Sequence, residues 1–388
     1  MKDRTRWLLA AVAATGIAAG AGAQEALPPV PAQVPPVMAW DQAEREVGFR
    51  NMEKIFPTAP VKRGATVRPL PVAAHPLDIR YSQDGKAMDA DAFMAANHVA
   101  GLLVLQDGRV LIEKYRQGLT PTGRWTSFSV AKSVTSTLVG AAVRDGAIRS
   151  IDDPVTRYVP QLRGSAYDAV SIRQLMMMSS GVRWDEDYED PRSDFMRLYD
   201  SDFIAPMMDR PRIHPAGTLF HYSTADTDIL GTVVMQATGK PLSEYLSEKI
   251  WAPYGMEQDA AWLMVRGKET GGANISMTLH DYGRFGEFIR GDGMIDGKPV
   301  LADGWVADAT KRHIDTDWGK IGYGYQWWIN QDGTFRALGI FGQLIYIDKP
   351  HKLVIVALSA WPHPDRDDTY KTEDAFIAAV ESAVAHAR

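Results

Sequence analysis

The 388-residue chain contains no cysteine. This absence excludes a disulfide framework, a thiol nucleophile and a thiolate metal site. The nine histidines lack metal-ligand spacing, and neither a His-Glu-x-x-His motif nor a Gly-x-Ser-x-Gly elbow occurs. Because those motifs carry the chemistry of metallohydrolases and α/β-hydrolases, the sequence argues against both classes. A glycine-rich phosphate loop is also absent, so we expect no metal and no cofactor.

A cluster of positive charge is absent from the sequence as well. The formal net charge is −6, and removal of residues 1–23, which carry a net charge of +2, leaves −8. Without a run of lysine and arginine, the chain lacks the electrostatic surface that binds nucleic acid or anionic membranes. We expect the partner to be a small molecule, a peptide or a polymer.

The first 23 residues are organised as a secretory signal peptide. Lys2, Arg4 and Arg6 form a positive segment, residues 7–19 are apolar or small, and Ala21-Gly22-Ala23 is a small-x-small cleavage site. A signal anchor is the alternative, because apolar segments of this length occur in both. We predict cleavage after Ala23 and a periplasmic or secreted protein.

Composition divides the rest of the chain into two regions. Residues 24–85 are predicted to form a proline-rich spacer, densest in proline at 26–37, and then a segment that wraps the surface. Residues 86–388 are predicted to form the main domain. Its centre, at about 160–275, is predicted to be an all-helical insert.

The main domain is predicted to begin and end with strands. Residues 98–105 and 109–115 are β-rich runs around a two-residue hairpin turn, and 337–347 and 353–359 are apolar runs typical of buried antiparallel strands. An amphipathic helix with Thr372 at its start closes the chain. We therefore predict an α/β (α+β) fold, with an antiparallel sheet that is built from both chain ends and flanked by helices.

Ser129 and Lys132 are the one Ser-x-x-Lys pair in the chain. On a helix this spacing puts both side chains on one face. Serine becomes a nucleophile when a nearby base takes its proton, and burial lowers the pKa of a lysine amine enough for that role. The helix predicted over 129–144 is rich in small residues, which indicates a central, buried helix. Such a pair also occurs about once by chance in a chain of this length.

Three further stretches strengthen the pair: IDDPVTRYVP (151–160), VSIRQLMMMSSGV (170–182) and PAGTLFHYSTADTDILG (215–231). With SFSVAKS around Ser129 they resemble, in the right order, the serine β-lactamase and penicillin-binding-protein-like hydrolases. The likeness covers most of 90–385 and implies a β-lactamase/transpeptidase-like fold. The stretches SSGVRWDEDYEDP, GYGYQWW and GIFGQLIYID are most similar to class C-like members, especially 6-aminohexanoate-dimer hydrolases. Family VIII carboxylesterases share much of this pattern.

The resemblance implies an acyl-enzyme mechanism. Ser129 would be the nucleophile, Lys132 would accept or relay its proton, and Tyr222 matches the catalytic tyrosine of the superfamily. Which of Lys132 and Tyr222 is the acylation base stays open, because the two titrate as a coupled pair. The oxyanion hole would combine the backbone N–H of Ser129 with that of Gln343, on the strand of Gly342. Glycine at 342 would let substrate lie against the strand, and a sheet bulge is the alternative.

Two positions depart from the family pattern. Thr224 stands where β-lactamases and transpeptidases have asparagine, and Ile340-Phe341-Gly342 stands where they have Lys-Thr-Gly or its histidine variant. The missing cation would hold the carboxylate of a β-lactam or of a D-alanyl-D-alanine terminus. We therefore predict a neutral, more apolar amide or ester as substrate, and no rapid hydrolysis of nitrocefin.

Further candidates for the substrate cleft are aromatic or acidic. The candidate substrate-binding residues are Thr224, Ile340, Phe341, Gly342, Trp184 and Trp327, with Trp125 and Trp328 as additional cleft walls. Each aromatic residue has a place in the core as its alternative. The acidic loop 185–190 suits a cationic end of substrate or is simply solvated. His221 is expected to be structural.

Two classes of function remain open on sequence alone. The first is an exported serine hydrolase similar to 6-aminohexanoate-oligomer hydrolases, with a family VIII-type carboxylesterase, a β-lactamase or a D-stereospecific peptidase as alternatives. The second is a catalytically idle binding or sensor domain on the same fold. The complete set of Ser129, Lys132 and Tyr222 favours the enzyme, because a binding module need not keep all three.

Overall fold

A computed structural model describes residues 36–198 and 203–386. The predicted signal peptide, and the part of the proline-rich spacer before residue 36, lie outside these ranges.

The central antiparallel sheet is formed by the strands β1 (Val99–Gln106), β2 (Arg109–Tyr115), β3 (Ile314–Asp315), β4 (Gly322–Tyr323), β5 (Trp328–Ile329), β6 (Phe335–Gly339), β7 (Gln343–Asp348) and β8 (Leu353–Ser359). Their order across the sheet is β3-β4-β5-β6-β7-β8-β1-β2. Because β8 pairs with β1, the sheet is built from both chain ends, which confirms the prediction.

The middle strands are apolar along their whole length because the sheet is covered on both faces. In β1, Leu103 and Leu105 belong to one hydrophobic core, and the alternate residues Leu102 and Val104 belong to a second core on the opposite face. The first face packs against helix Leu279–Arg290, and the second lies towards the helices Ala90–Ala96 and Asp367–His386.

The apolar run 337–347 is two strands, where the sequence predicts one. A tight turn at 340–342 reverses the chain between β6 and β7, so that Gly339 pairs with Gln343. Phe341 and Gly342 have φ angles of 61° and 85°. Two left-handed residues in succession turn the backbone, and hydrophobicity alone does not reveal them.

Four long helices complete the frame: α1 (Val130–Arg144), α2 (Thr224–Thr238), α3 (Leu279–Arg290) and α4 (Asp367–His386). In α1 every residue from 130 to 142 is buried, which confirms the prediction of a central helix. Its small residues allow close packing, since a Cβ on Gly140 would lie 2.6 Å from the ring of Trp305. Helix α4 begins at Asp367 and not at Thr372. The Thr372 hydroxyl donates to the carbonyl of Asp368, as it does inside a helix.

A second sheet contains the strand that directly precedes α1. Its strands, in spatial order, are Thr58–Val61, Ala260–Val265, Ile275–Thr278 and Arg124–Thr126, with Lys268–Glu269 paired to Ala260–Val265. Segment 36–75 therefore contributes a strand and buried aromatic residues such as Trp40 and Phe49, and does more than wrap the surface.

The predicted all-helical insert, about 160–275, was too long. Its helical part ends at Tyr254, and the strands Ala260–Val265 and Lys268–Glu269 follow. A six-residue apolar run is too short for its periodicity to distinguish a strand from a buried helix.

The remaining elements are short. The short helices are Pro36–Ala39, Gln42–Gly48, Met52–Ile55, Ala90–Ala96, Val155–Arg157, Pro160–Leu162, Ile172–Met176, Ala205–Met207, Leu242–Leu246, Ser247–Trp251, Ala252–Tyr254 and Trp305–Ala309. Two small hairpins pair Tyr81–Gln83 with Lys86–Met88 and Met294–Ile295 with Lys298–Pro299. None of the helices within 36–198 and 203–386 is both long and apolar enough to cross a membrane.

Candidate active site

Ser129 lies in a tight turn at the start of α1. The residue before it, Phe128, has a φ angle of 42°, which is a strained conformation for a bulky side chain. Edge-to-face packing on Phe49, with ring centroids 4.9 Å apart, holds Phe128 in place. The hydroxyl of Ser127 accepts a hydrogen bond from the N–H of Ile275 at 2.8 Å. These contacts fix the turn, and therefore the position of Ser129.

Lys132 lies beneath Ser129, one helical turn further on. Its Nζ is 2.9 Å from Ser129 Oγ and donates to the carbonyl of Gly272 at 2.7 Å. Only 2% of Lys132 is exposed. Burial lowers the pKa of Lys132 to about 8, although the charges of Glu186 and Asp228 act in the opposite direction. A neutral amine is therefore available next to the Ser129 hydroxyl at mildly alkaline pH.

Tyr222, just before α2, completes the group. Its hydroxyl hydrogen-bonds to Ser129, and Lys132 Nζ lies 5.2 Å from the centroid of its ring. The ring stacks on Trp328 with centroids 5.8 Å apart. Burial and the charge of Glu186 raise the pKa of Tyr222 well above that of a free phenol. The structure thus brings the three predicted catalytic side chains together, with Tyr222 protonated at neutral pH.

A cavity of about 210 Å³ opens over Ser129. Its wall is aromatic and acidic. The lining residues are Ser129, Glu186, Tyr188, Phe220, His221, Tyr222, Asp317, Trp318, Trp328, Leu338, Gly339, Ile340, Asp365 and Tyr370. Of the residues singled out in the sequence as substrate-binding or cleft-wall candidates, Ile340 and Trp328 are in this wall. His221 lines it too, and its Nε2 lies 2.8 Å from the carbonyl oxygen of Trp184.

Three predicted cleft aromatics are core residues instead. Trp125 is fully buried and donates from Nε1 to the Gln343 side chain at 3.0 Å. Trp327 packs edge-on against Phe335. Phe341 packs among the rings that support the Ser129 turn, 5.5 Å from that of Phe128. Each is 1% exposed or less, because the rings fill the space under the sheet and the nucleophile turn.

Gln343 is not among the residues that line the cavity over Ser129. It is fully buried, and its side-chain amide donates to the carbonyls of Ile340, Phe341 and Ser359. It therefore secures the 340–342 turn. The prediction of its backbone N–H as an oxyanion donor assumed one continuous strand, whereas the 340–342 turn separates Gln343 from Gly339.

Gly342 has a packing role rather than a substrate role. A Cβ there would lie 2.3 Å from the ring of Trp361. The backbone that approaches Ser129 is that of Gly339, where a Cβ would lie 3.1 Å from the Ser129 nitrogen. Ile340 follows Gly339 directly and also lines the cavity, whereas Gln343 does not. The backbone N–H of Ile340 is therefore a better oxyanion candidate than that of Gln343.

Thr224 and Trp184 are buried and contact Glu186, a residue that the sequence analysis did not single out. Both donate hydrogen bonds to the carboxylate of Glu186, which itself lines the cavity. Loop 185–190 has five acidic residues, and nothing in the sequence distinguishes the one that turns inward. The aromatic lining residues Trp318, Phe220 and Tyr370 were missed for a similar reason, since they come from separate loops and α4.

No group of histidine, aspartate and glutamate side chains in the described ranges is placed to hold a metal ion. The cavity presents hydroxyls, carboxylates and, beneath Ser129, the amine of Lys132. A serine hydroxyl bonded to both a buried amine and a phenol is an arrangement suited to nucleophilic acyl transfer.

Comparison with known proteins identifies the family of the chain. The Beta-lactamase family model matches residues 89–380. The 6-aminohexanoate-dimer hydrolase of Paenarthrobacter ureafaciens is 31% identical over 378 residues, which cover 90% of this chain and 94% of that protein. A solved structure from Bacillus anthracis, assigned as a 6-aminohexanoate-dimer hydrolase, has a TM-score of 0.79 at 24% identity and covers 87% of this chain and 93% of its own.

A family VIII carboxylesterase has the same fold, with a TM-score of 0.60 at 17% identity over 76% of this chain and 96% of its own. The two solved structures show the fold, while the family model and the Paenarthrobacter relative span most of the sequence. The chain therefore belongs to the β-lactamase family and is a serine hydrolase.

Proposed function

We propose that this protein is an exported hydrolase of amide or ester bonds that acts through an acyl-enzyme on Ser129. The observation that carries the proposal is the contact of 2.9 Å between Lys132 Nζ and Ser129 Oγ at the floor of an open cavity. The similarity to 6-aminohexanoate-dimer hydrolase favours a linear amide as substrate. The fold shared with a family VIII carboxylesterase keeps an ester as the second candidate.

Acylation would begin when Ser129 Oγ attacks the substrate carbonyl while neutral Lys132 accepts the hydroxyl proton. Two N–H groups would stabilise the oxyanion of the tetrahedral intermediate, those of Ser129 and Ile340. The raised pKa of Tyr222 supports its role as the acid that protonates the leaving amine or alkoxide. Lys132 then returns a proton to Tyr222, and an ester on Ser129 remains.

Deacylation would reverse these proton movements. A water molecule attacks the Ser129 ester as Lys132 and Tyr222 remove its proton. The second tetrahedral intermediate collapses, the acid product leaves and the proton returns to Ser129 Oγ. Every step uses the same three side chains, and no further group is required for the balance of protons.

The cavity wall supports a substrate without a carboxylate beside the scissile bond. Among the described lining residues there is no lysine or arginine, whereas Glu186, Asp317 and Asp365 are acidic. A carboxylate would meet negative charge there, without the cation that holds it in β-lactamases. A neutral amide or ester fits the wall best, and nitrocefin should react poorly.

A substrate panel on wild type and Ser129→Ala tests the proposal. The panel contains p-nitrophenyl esters, the 6-aminohexanoate dimer, D-amino-acid amides and nitrocefin. We expect turnover of an ester or linear amide and a loss of about four orders of magnitude or more in Ser129→Ala. A fluorophosphonate probe should label wild type only.

The matched control is Ser133→Ala, on the same helix. The Ser133 hydroxyl donates to the carbonyl of Gln326, and this variant should keep the label. A folded wild-type protein that neither turns over the panel nor takes the label would favour the idle binding domain.

A further inference from the structure

Glu186 holds its carboxylate on a dense set of donors in the cavity wall. The backbone N–H of Thr224 donates to Oε2 at 2.9 Å, and the Thr224 hydroxyl donates to Oε1 at 2.5 Å. The Trp184 indole N–H donates to Oε2, and the Tyr188 hydroxyl donates to Oε1 at 3.2 Å. Four donors on two oxygens fix both the place and the orientation of this side chain.

All four donors are neutral, so none of them carries a charge opposite to that of Glu186. Thr224 is the first residue of the 15-residue helix α2, whose N-terminus favours a negative charge. The cation that Glu186 faces is Lys132, on α1. The other acid that faces Lys132 is Asp228, on α2, which also accepts a hydrogen bond from the N–H of Gly272 at 2.8 Å.

Three of the other titratable groups around Glu186 are phenols, and His221, Asp317 and Asp365 line the same cavity. Tyr222 precedes α2, Tyr323 comes from β4, and Tyr188 belongs to the same loop as Glu186. The charge of Glu186 raises the pKa of each, in addition to the effect of burial. Glu186 therefore acts on both proton-transfer groups of the site, Lys132 and Tyr222.

We propose that Glu186 is a positioning residue of the acylation centre. It is held on Thr224, where the family has asparagine, and its carboxylate supplies a negative charge that favours the protonated forms of Lys132 and Tyr222. The inference rests on the proposed function for its kinetic consequences, but not for its effect on Lys132 itself.

The direction of the effect follows from the charges. A negative neighbour favours protonated Lys132 and disfavours the phenolate of Tyr222, so that removal of the charge lowers the pKa of both. If neutral Lys132 and protonated Tyr222 are the active forms, both limbs of the pH–rate profile then move to lower pH. A residue that served only to hold the loop would reduce the rate without moving the limbs.

Glu186→Gln tests this, because glutamine keeps the shape and loses the charge. The pKa of Lys132 can be measured without turnover, by NMR of ¹³Cε-lysine-labelled protein, with Lys132→Arg to assign the signal. We expect it to fall by about one pH unit in Glu186→Gln. The acid limb of kcat/KM for a p-nitrophenyl ester should fall by the same amount.

Two variants separate charge from anchoring. Thr224→Val removes one donor and keeps the charge, and Glu186→Asp keeps the charge on a shorter side chain. Both should leave the Lys132 pKa within a few tenths of the wild-type value, whatever happens to kcat. Glu186→Asp also provides a test if Glu186→Gln fails to fold. If the pKa of Lys132 falls by about one unit in Glu186→Asp, which keeps the charge, the proposal is overturned.

An unchanged Lys132 pKa in folded Glu186→Gln would overturn the inference, even if the variant were slow. A wild-type protein without turnover would instead contradict the proposed function, and the NMR titration would still decide the role of Glu186.

Discussion

In the turn between β6 and β7, Gly342 has no side chain, and the Trp361 ring therefore packs directly against the backbone. Gly342 has a φ of 85° and no space for a Cβ, which would lie 2.3 Å from the indole ring. Gly146, after α1, has a φ of 75° and no atom within 4 Å of the same position. The two glycines therefore share a left-handed backbone conformation and differ in packing.

We expect Gly342→Ala to destabilise the protein more than Gly146→Ala. Strain costs each variant about 1–2 kcal/mol, and overpacking against Trp361 adds about 1–3 kcal/mol at position 342. Urea unfolding of both variants measures the difference in the free energy of unfolding. Equal losses would show that Trp361 moves aside freely and that the turn does not depend on it.

At the scale of elements, helix α1 is tied to its surroundings by hydroxyls as well as by apolar packing. Thr135 Oγ1 donates to the carbonyl of Gly271 at 2.7 Å, and the next residue, Gly272, accepts from Lys132. Thr137 Oγ1 donates at the same distance to the carbonyl of Ser133 in its own helix. Both threonines are buried, but only the first joins α1 to another segment.

Thr135→Val should therefore lower the free energy of unfolding by about 1–3 kcal/mol, because it leaves the Gly271 carbonyl without this donor. It should also slow ester turnover, since Gly272 helps to hold Lys132. Thr137→Val should cost less, because the Ser133 carbonyl keeps its helical partner. Denaturant curves and kcat/KM for the two variants give the comparison, which fails if Thr137→Val is the more damaging.

Elements with strong local patterns could be predicted from the sequence, and contacts between loops could not. Helix α1, with its small residues, and the β1–β2 hairpin follow from composition and turn residues. The 340–342 turn depends on two left-handed backbone angles in an apolar run, and this displaced the oxyanion prediction to Gln343. Glu186 was not distinguished from the other acids of its loop, because its burial depends on hydrogen bonds from Thr224 and Trp184. Thr224 is distant in the sequence, and no sequence pattern indicates that the nearby Trp184 donates to this carboxylate.

For the whole molecule, a buried acid on α4 links stability to pH. Glu373 is 1% exposed, and within the described part of the chain neither of its carboxylate oxygens has a hydrogen-bond partner. Burial and the charge of Asp374 raise its pKa to about 8, against the attraction of Arg336. The folded protein therefore holds a proton on Glu373 that the unfolded chain releases at a lower pH.

The free energy of unfolding should consequently fall as pH rises from about 4.5 to about 8, by on the order of a few kcal/mol. Below this window both states are protonated and Glu373 adds no pH dependence. Glu373→Gln should remove the effect and be the more stable protein at pH 8.5. Thermal or urea unfolding at pH 5 and 8.5 tests this, and an identical pH slope in the two proteins would contradict it.

The pairing of β8 with β1 has a consequence for synthesis. A ribosome makes β1 first among the strands of this sheet, but its partner strand β8 is the last of them to be made. The central sheet cannot close until then, because closing it requires contacts between two strands that are far apart in the sequence. Ile340 arrives equally late, so a nascent chain that already carries Ser129 and Lys132 is a folding intermediate without an oxyanion site. Reactivity towards acyl groups should therefore appear only after Ile340 and β8 have been made and the sheet has closed.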